Sequence, residues 1–226
     1  MDKLELLKTA LSNTYELSDF DQTELLKIGT FLGHNTSVFK EVYKAYLKEE
    51  QNFKNDPMFG AKIEIEFDWD NKSIIITQLD TKLKFTMEQL LKYFSLIDIC
   101  FETVHPVGSV VEIDLEMMNH DFRKMYTDTE PLAVITGRKV ALNDDYFADY
   151  FARPWPFGEG SPIQPMFLSN VLIKRVVFTG MIDETEEEFV NTVLRTDVIN
   201  SKRKSAIYIS EDESKELANV AERLVV

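Results

Sequence analysis

Apolar residues in the first fifty positions recur with the spacing of helices. Leucines three and four positions apart predict a short amphipathic helix over residues 2–12. A similar spacing predicts a second helix over about residues 20–32, and we expect Gly33 to end it, because glycine is common just after the end of a helix. A third helix is predicted after Asn35, with its apolar side chains on one side and its lysines on the other.

The pattern then changes to alternation. Residues 63–67 place apolar side chains and carboxylates on opposite faces, and residues 73–77 return as a second strand rich in β-branched residues, so the two predict a hairpin. Thr86 is placed to cap a further helix that runs from Met87 to about Phe101. Apolar residues cover much of the circumference of that helix, which predicts burial on more than one side.

The character of the chain changes after residue 102, where we place a domain boundary. Beyond it, the acidic stretch over residues 114–130 predicts a long connection between two strands that contains one or two helical turns. Asp183 precedes a predicted helix whose first turn is acidic. A last strand is predicted at Ala206–Ile209, and a terminal helix from Ser210 or Ser214. Four strands are predicted between these features, at residues 106–113, 131–138, 146–150 and 173–180.

These elements predict an α+β fold. Helices, a β-hairpin and a covering helix form the N-terminal part, over residues 1–102. A compact antiparallel sheet or half-open barrel with flanking helices follows, over residues 103–226. The two parts are expected either as separate domains or packed as one unit.

An aromatic segment from Tyr150 to Gly160 interrupts the second part. Its prolines and glycines forbid helix and remove backbone donors, so we predict a shaped loop rather than an ordinary strand of a sheet. Large aromatic rings in a loop either fold back onto a core or contact a partner. Both alternatives stay open for each ring.

Composition excludes several classes of function. The formal charge of −14 makes nonspecific binding of nucleic acid or anionic lipid unfavourable and favours a basic partner. The single cysteine, Cys100, excludes an intramolecular disulfide and a thiolate metal cluster, and its apolar neighbours predict a buried thiol. The three histidines are scattered, with no pair at a spacing that could bind a metal. The carboxylates that alternate through the hairpin lack the central glycine and the terminal glutamate of a calcium-binding loop.

Catalytic motifs are missing as well. The sequence has no glycine-rich phosphate loop and no nucleophile elbow, so we expect neither an enzyme nor a cofactor. No apolar run approaches the roughly 20 residues of a membrane span, and the start of the chain lacks the apolar core of a signal peptide. We therefore expect a cytoplasmic protein that does not insert into membranes.

One basic residue has a structural interpretation. Arg138 follows Gly137 at the end of a predicted strand, where its guanidinium is expected to pair with a carboxylate of its own chain. Asp149 and Glu184 are the candidate partners.

Four segments in the second part together resemble one family. The segments are Pro106–Val111, Leu132–Arg138, Tyr150 with Pro154–Gly158, and Val176–Glu184 followed by Glu187–Phe189. With these segments, over roughly residues 105 to 195, the chain resembles the uncharacterised domain family that is encoded beside LXG polymorphic toxins in Gram-positive type VII secretion loci.

The resemblance implies a non-enzymatic chaperone or targeting adaptor, which binds a cognate LXG toxin or its helical accessory proteins before secretion. It brings no catalytic residues. This sequence departs from the family pattern in two places. One is the acidic insertion after the first strand, and the other is Arg153-Pro154-Trp155, where a smaller residue is expected before the proline and the aromatic residue that follows it. Residues 1–102 lie outside the resemblance.

Large aromatic residues dominate interface energetics when they are desolvated, so the aromatic segment is the candidate contact with the toxin. We predict Tyr150, Arg153, Trp155 and Phe157 as partner-binding residues. Two alternatives remain. An immunity protein would use the acidic surface to neutralise a basic toxin domain, and a small-molecule enzyme would require an internal pocket with convergent carboxylates.

Overall fold

A computed structural model of the chain describes residues 2–127, 129–160, 164–210, 213–215 and 217. The chain divides into two compact units. The first comprises the residues up to Glu102 together with the described residues from Tyr208 onward, and the second comprises Thr103–Ile207. The sequence predicts one boundary, after residue 102, whereas the structure has a second one, after Ile207.

Tyr208 belongs to the first unit because its ring lies among the rings of that unit. It packs edge-on against Tyr43, with 4.9 Å between ring centroids, and also contacts Phe39 and Phe94. The tyrosine is fully buried there. A ring of this size contributes substantially to a core through its buried area alone.

The helices of the first unit lie where the apolar spacing predicts them. They are α1 (Lys3–Ser12), α2 (Gln22–His34), α3 (Thr36–Leu47) and α4 (Met87–Phe101). The predicted start of α4 is confirmed, since the Thr86 hydroxyl accepts from the Gln89 backbone N–H at 3.2 Å and the Gln89 side chain accepts from the Thr86 N–H at 2.9 Å. This reciprocal pair is a capping box. Cys100, in the last turn of α4, is buried as predicted.

The predicted role of Gly33 is wrong. Helix α2 continues through Gly33 to His34. A Cβ at this position would lie 2.2 Å from Cγ of Phe101, so the glycine is required because it lets α2 approach the end of α4. Close packing, rather than helix termination, explains this residue.

A four-stranded antiparallel sheet completes the first unit. Its strands are β1 (Asn52–Asn55), β2 (Ile63–Asp68), β3 (Ser73–Gln78) and β4 (Thr81–Thr86), in that order across the sheet. The hairpin of β2 and β3 is confirmed, while β1 and β4 were not predicted. The carboxylates of β2 face outward, and Glu64 forms an ion pair with Lys54 of β1.

The second unit is built on a six-stranded sheet. Its strands are β5 (Val110–Ile113), β6 (Leu132–Ala141), β7 (Tyr146–Pro154), β8 (Met166–Leu168), β9 (Ile173–Phe178) and β10 (Lys204–Ser205). The order across the sheet is β10-β7-β6-β5-β9, and β8 pairs with β7. All pairings are antiparallel except that of β10 with β7, and no closed barrel forms among the described residues. The predicted α+β class is confirmed.

One face of this sheet forms the core of the second unit. Helix α5 (His120–Met125), which lies in the predicted acidic excursion, contributes Phe122 to that face, and Met118 packs there just before it. We call this the inner face. Its buried residues are Val111, Ile113, Ala133, Ile135, Tyr150, Ala152, Leu168 and Ile173.

One helical run follows the sheet. It consists of α6 (Glu184–Glu188), a π-helical turn at Phe189–Leu194 and α7 (Arg195–Asn200). The Asp183 carboxylate accepts from the Glu186 N–H at 2.8 Å, so the predicted acidic start is confirmed. None of the described helices has both the length and the apolar character needed to cross a membrane.

The C-terminal segment is predicted to contain a strand and a helix. The predicted strand at Ala206–Ile209 is wrong, because pairing with β7 takes place at Lys204 and Ser205 and the chain then turns. The predicted terminal helix through Leu217, Val220, Ala221 and Leu224 lies largely outside the described residues.

Candidate partner-binding surface

Tyr150, the first predicted partner-binding residue, lies in the core. Its side chain is only 1% exposed and belongs to the inner face of the sheet. The hydroxyl donates to the Thr103 carbonyl at 3.0 Å and accepts from the His105 N–H at 3.1 Å, which ties the start of the second unit to β7. Tyr150 therefore packs within the core of the second unit and does not offer its ring to a partner.

The prediction of a loop from Tyr150 is wrong for its first part. Strand β7 continues to Pro154, and Tyr150–Ala152 pairs with β6 on one side and β8 on the other. Proline is tolerated because it is the last residue of the strand. The backbone N–H of Trp155 still donates to the Leu132 carbonyl at 2.9 Å, so the ladder extends one residue past the proline.

Alternation along β7 places Arg153 on the face opposite to Tyr150, which we call the outer face. Its guanidinium lies 5.5 Å from the ring centre of Phe151, two residues earlier on the same face. It also forms an ion pair with Glu159 at 2.7 Å. These contacts fix the arginine between a ring and a carboxylate, so it is held in one orientation at the surface.

Trp155 and Phe157 are the most exposed of the four predicted residues. Trp155 is 48% exposed and Phe157 is 61% exposed. The turn that carries Phe157 is closed by the Gly160 N–H, which donates to the Phe157 carbonyl at 3.1 Å, and by the ion pair of Glu159 with Arg153. Of the rings in the aromatic segment, the exposed ones are therefore those of Trp155 and Phe157.

Register shows which other residues share the outer face. Residues opposite each other on paired strands point to the same face. One row across the sheet is formed by Arg153, Val134, Val110 and Phe178. A neighbouring row is formed by Trp155, Leu132, Glu112 and Arg175.

The outer face is thus apolar across its width and aromatic at both edges. Phe178 on β9 is 62% exposed, and the two valines between it and Arg153 are half-buried. At the other edge, exposed Phe167 of β8 lies opposite Phe151, with 5.2 Å between ring centroids. Exposed apolar patches of this kind mark interaction sites more often than chance.

Charges on the outer face are paired near the β9 edge. Lys174 Nζ lies 2.7 Å from the Glu112 carboxylate, and Arg175 contacts the other oxygen of the same group. The hydrogen bond from Lys174 holds the pKa of Glu112 below its ordinary value of 4.5, with a further contribution from Arg175. Because Arg153 is also paired, the outer face is close to neutral within a chain that carries a net charge of −14.

Arg138 forms the predicted kind of contact, but with neither predicted partner. It pairs with Glu186 of α6, while Asp149 pairs with Lys139 at 2.9 Å. The register of β6 shifts between Ile135 and Gly137, and this β-bulge changes which side chains face α6. A bulge cannot be located from the sequence pattern, which is why the partner was missed.

Carboxylates also converge in one groove of the second unit. The groove encloses about 490 Å³ beside the end of β5. Its ionisable lining residues include Glu112, Asp114, Glu116, Glu130 and Lys174. Among the described residues of the groove, the buried carboxylates are Glu112 and Asp114, and Glu112 is paired with Lys174 and Arg175.

Residues 104–189 match a family of unknown function. The family is described as Domain of unknown function (DUF4176), and the match is shorter than half of the chain. No curated protein and no solved structure matches the chain. The expectation of an uncharacterised domain family over this region is confirmed, whereas its link to LXG toxins stays a prediction.

The segment that matches DUF4176 includes five strands of the second unit, β5 to β9, together with α6. The whole outer face therefore lies within it. Sequence reasoning missed Phe167, Phe178 and the two valines that join them to Arg153. The signal that identifies them is strand register, which a single sequence does not contain.

Proposed function

We propose that this protein is a non-enzymatic cytoplasmic chaperone or targeting adaptor, which binds a cognate LXG toxin for type VII secretion. The observation that carries the proposal is the outer face, where exposed Phe178 ends the row that contains Val110 and Val134, and exposed Trp155 lies in the neighbouring row. The identity of the partner rests on the resemblance of the DUF4176 segment to a family encoded beside such toxins.

The chemistry of the outer face suits a chaperone. A toxin held before export must keep its own apolar surfaces out of water. A complementary apolar face covers those surfaces by binding alone and needs no catalysis. Aromatic residues at the two edges supply large contact area at a low cost in side-chain entropy. The net charge of −14 keeps the complex dispersed because like-charged particles repel.

An immunity protein is the second candidate. The observation in its favour is the net charge of −14, which speeds association with a basic toxin domain. In that case the bound part is the toxic domain, and binding blocks its activity. A chaperone instead binds without blocking toxicity.

The test separates the two roles by the part of the toxin that is bound. The tagged protein is co-purified with the N-terminal and C-terminal halves of the LXG toxin from the same locus, each expressed alone. A chaperone binds at least one half, leaves toxicity unchanged, and its deletion removes toxin from the cytoplasm. Binding to the toxic half alone with loss of toxicity establishes an immunity protein, and binding to neither half rejects both roles.

A further inference from the structure

Beyond the proposed function, and independent of it, we propose a second docking surface on the same unit. It takes an amphipathic helix that carries apolar residues along one side and Lys or Arg on its flanks. Its apolar members are Val107, Met181, Ile182, Phe189 and Val193, all of them exposed and Met181 to 79%. Four of the five lie within residues 181–193, and a cluster of exposed apolar side chains of this kind is typical of an interaction surface.

A close backbone approach fixes the first end of this second surface. A Cβ at Gly180 would lie 2.4 Å from the carbonyl oxygen of Val107, so only glycine fits there. The Gly180 N–H also donates to the Ser109 hydroxyl at 3.0 Å. Met181, the next residue, is therefore held beside Val107.

The other end is fixed by Arg138. Its guanidinium pairs with Glu186 and lies 5.7 Å from the ring centre of Phe189. The Gly108 N–H donates to the Ile135 carbonyl at 2.8 Å, so both attachments are made to the same strand, β6. Because of the register shift in β6, Ile135 and Arg138 lie opposite Ala152 and Tyr150, which are two residues apart, so the two attachments are about 7 Å apart along the strand.

The apolar residues are thus presented together. Phe189 and Val193 lie four positions apart on the helical run, which places them on neighbouring turns of one side. The π-helical turn in which they lie is a geometry that occurs often at functional sites.

Acidic residues decide the chemistry of the occupant. Glu184, Glu187 and Glu188 are exposed beside the apolar residues and form no ion pair with a described residue. Glu184 and Glu188 are four positions apart, where like charges repel each other. A partner with basic flanks relieves this repulsion, while a second copy of the same surface would add to it.

The experiment uses the full-length protein and a fluorescein-labelled helical peptide. The peptide carries Leu at positions i, i+3, i+4 and i+7 with Lys on the flanks, and a matched peptide carries Glu in place of each Lys. Fluorescence anisotropy is measured at two salt concentrations. We expect the Lys peptide to bind at least about tenfold more tightly than the Glu peptide, and its affinity to fall with salt.

Two variants and one control locate the binding. Phe189→Ser with Val193→Ser is expected to weaken binding of the Lys peptide by about tenfold or more. Glu184→Gln, Glu187→Gln and Glu188→Gln together are expected to weaken binding and remove most of its salt dependence. Phe59→Ala, at an exposed ring of the first unit, is the control and is expected to bind the peptide as the unaltered protein does.

Other results overturn the proposal. Equal affinity for the two peptides rejects the basic occupant, and unchanged binding by both surface variants rejects the surface. If gel filtration shows a dimer that Phe189→Ser with Val193→Ser dissociates, the occupant is a second copy. Should that variant lose its circular dichroism signal, the glutamine variant alone decides, since it changes only exposed side chains.

Discussion

Arg138 on β6 and Glu186 on α6 join the helical run to the sheet of the second unit. Each guanidinium Nη contacts one carboxylate oxygen, with 3.1 Å between Nη2 and Oε2, and both side chains are largely buried. A planar guanidinium matches a carboxylate in this two-pronged way, and an ammonium does not.

Arg138→Lys is therefore expected to loosen the helix although it keeps the charge. We expect amide hydrogen exchange across residues 184–200 to speed up, and stability to fall by about 2 kcal/mol, less than for a fully buried pair. Exchange in the strands of the first unit serves as the internal reference. Unchanged exchange in the helix would show that its attachment lies elsewhere.

Lys139 and Asp149 form a pair that water does not reach. Their side chains are 3% and 0% exposed, and the second Asp149 oxygen accepts from the Asn170 N–H at 3.0 Å. Lys139→Met leaves a buried carboxylate without its cation, so we expect a loss of about 3–5 kcal/mol in urea unfolding. Lys62→Met, which removes an exposed ion pair with Asp56, is the control and should leave the urea midpoint nearly unchanged.

Gly33 tests the packing of α2 against α4. Gly33→Ala places a methyl group inside the Phe101 ring, so we expect destabilisation of about 3 kcal/mol, measured by thermal unfolding. Gly160→Ala, where no atom lies within 4 Å, is the matched control. Phe101→Leu in the Gly33→Ala background should restore part of the loss, and failure to do so would place the strain elsewhere.

Glu112 predicts a change of stability with pH. Lys174 and Arg175 lower its pKa in the folded protein, so its ionised form stabilises the fold at any pH above the unfolded-state value. That contribution is lost as the pH falls below 4.5 and through the folded-state pKa. The difference in urea midpoint between the unaltered protein and Glu112→Gln should therefore be largest near neutral pH and shrink on acidification; a constant difference would contradict this account.

Local signals explain what the sequence predicts well. Thr86 and Gln89 cap α4 with contacts three residues apart, and alternation over β2 and β3 identifies a hairpin without knowledge of its neighbours. The secondary structure of both units follows mainly from such short-range patterns.

The outer face depends on long-range register instead. Arg153 and Phe178 are brought into one row only by the pairing of four strands, two of which contain register shifts. Gly33 also shows what a single sequence cannot predict, because glycine can mark either the end of a helix or a close approach of two elements. The position of the Phe101 ring shows that the close approach is the reason here. Such contacts lie far apart in the chain and leave no periodic signal.

The most direct test measures binding of the LXG toxin to variants of the outer face. Trp155→Ser with Phe178→Ser removes one exposed ring from each row of the outer face, and Phe59→Ser, at a still more exposed ring in the first unit, is the control. In isothermal titration calorimetry with the toxin half that co-purifies, we expect the double variant to bind about 100-fold more weakly and the control to bind normally. Unchanged affinity in a folded double variant would contradict the assignment of the outer face as the binding surface.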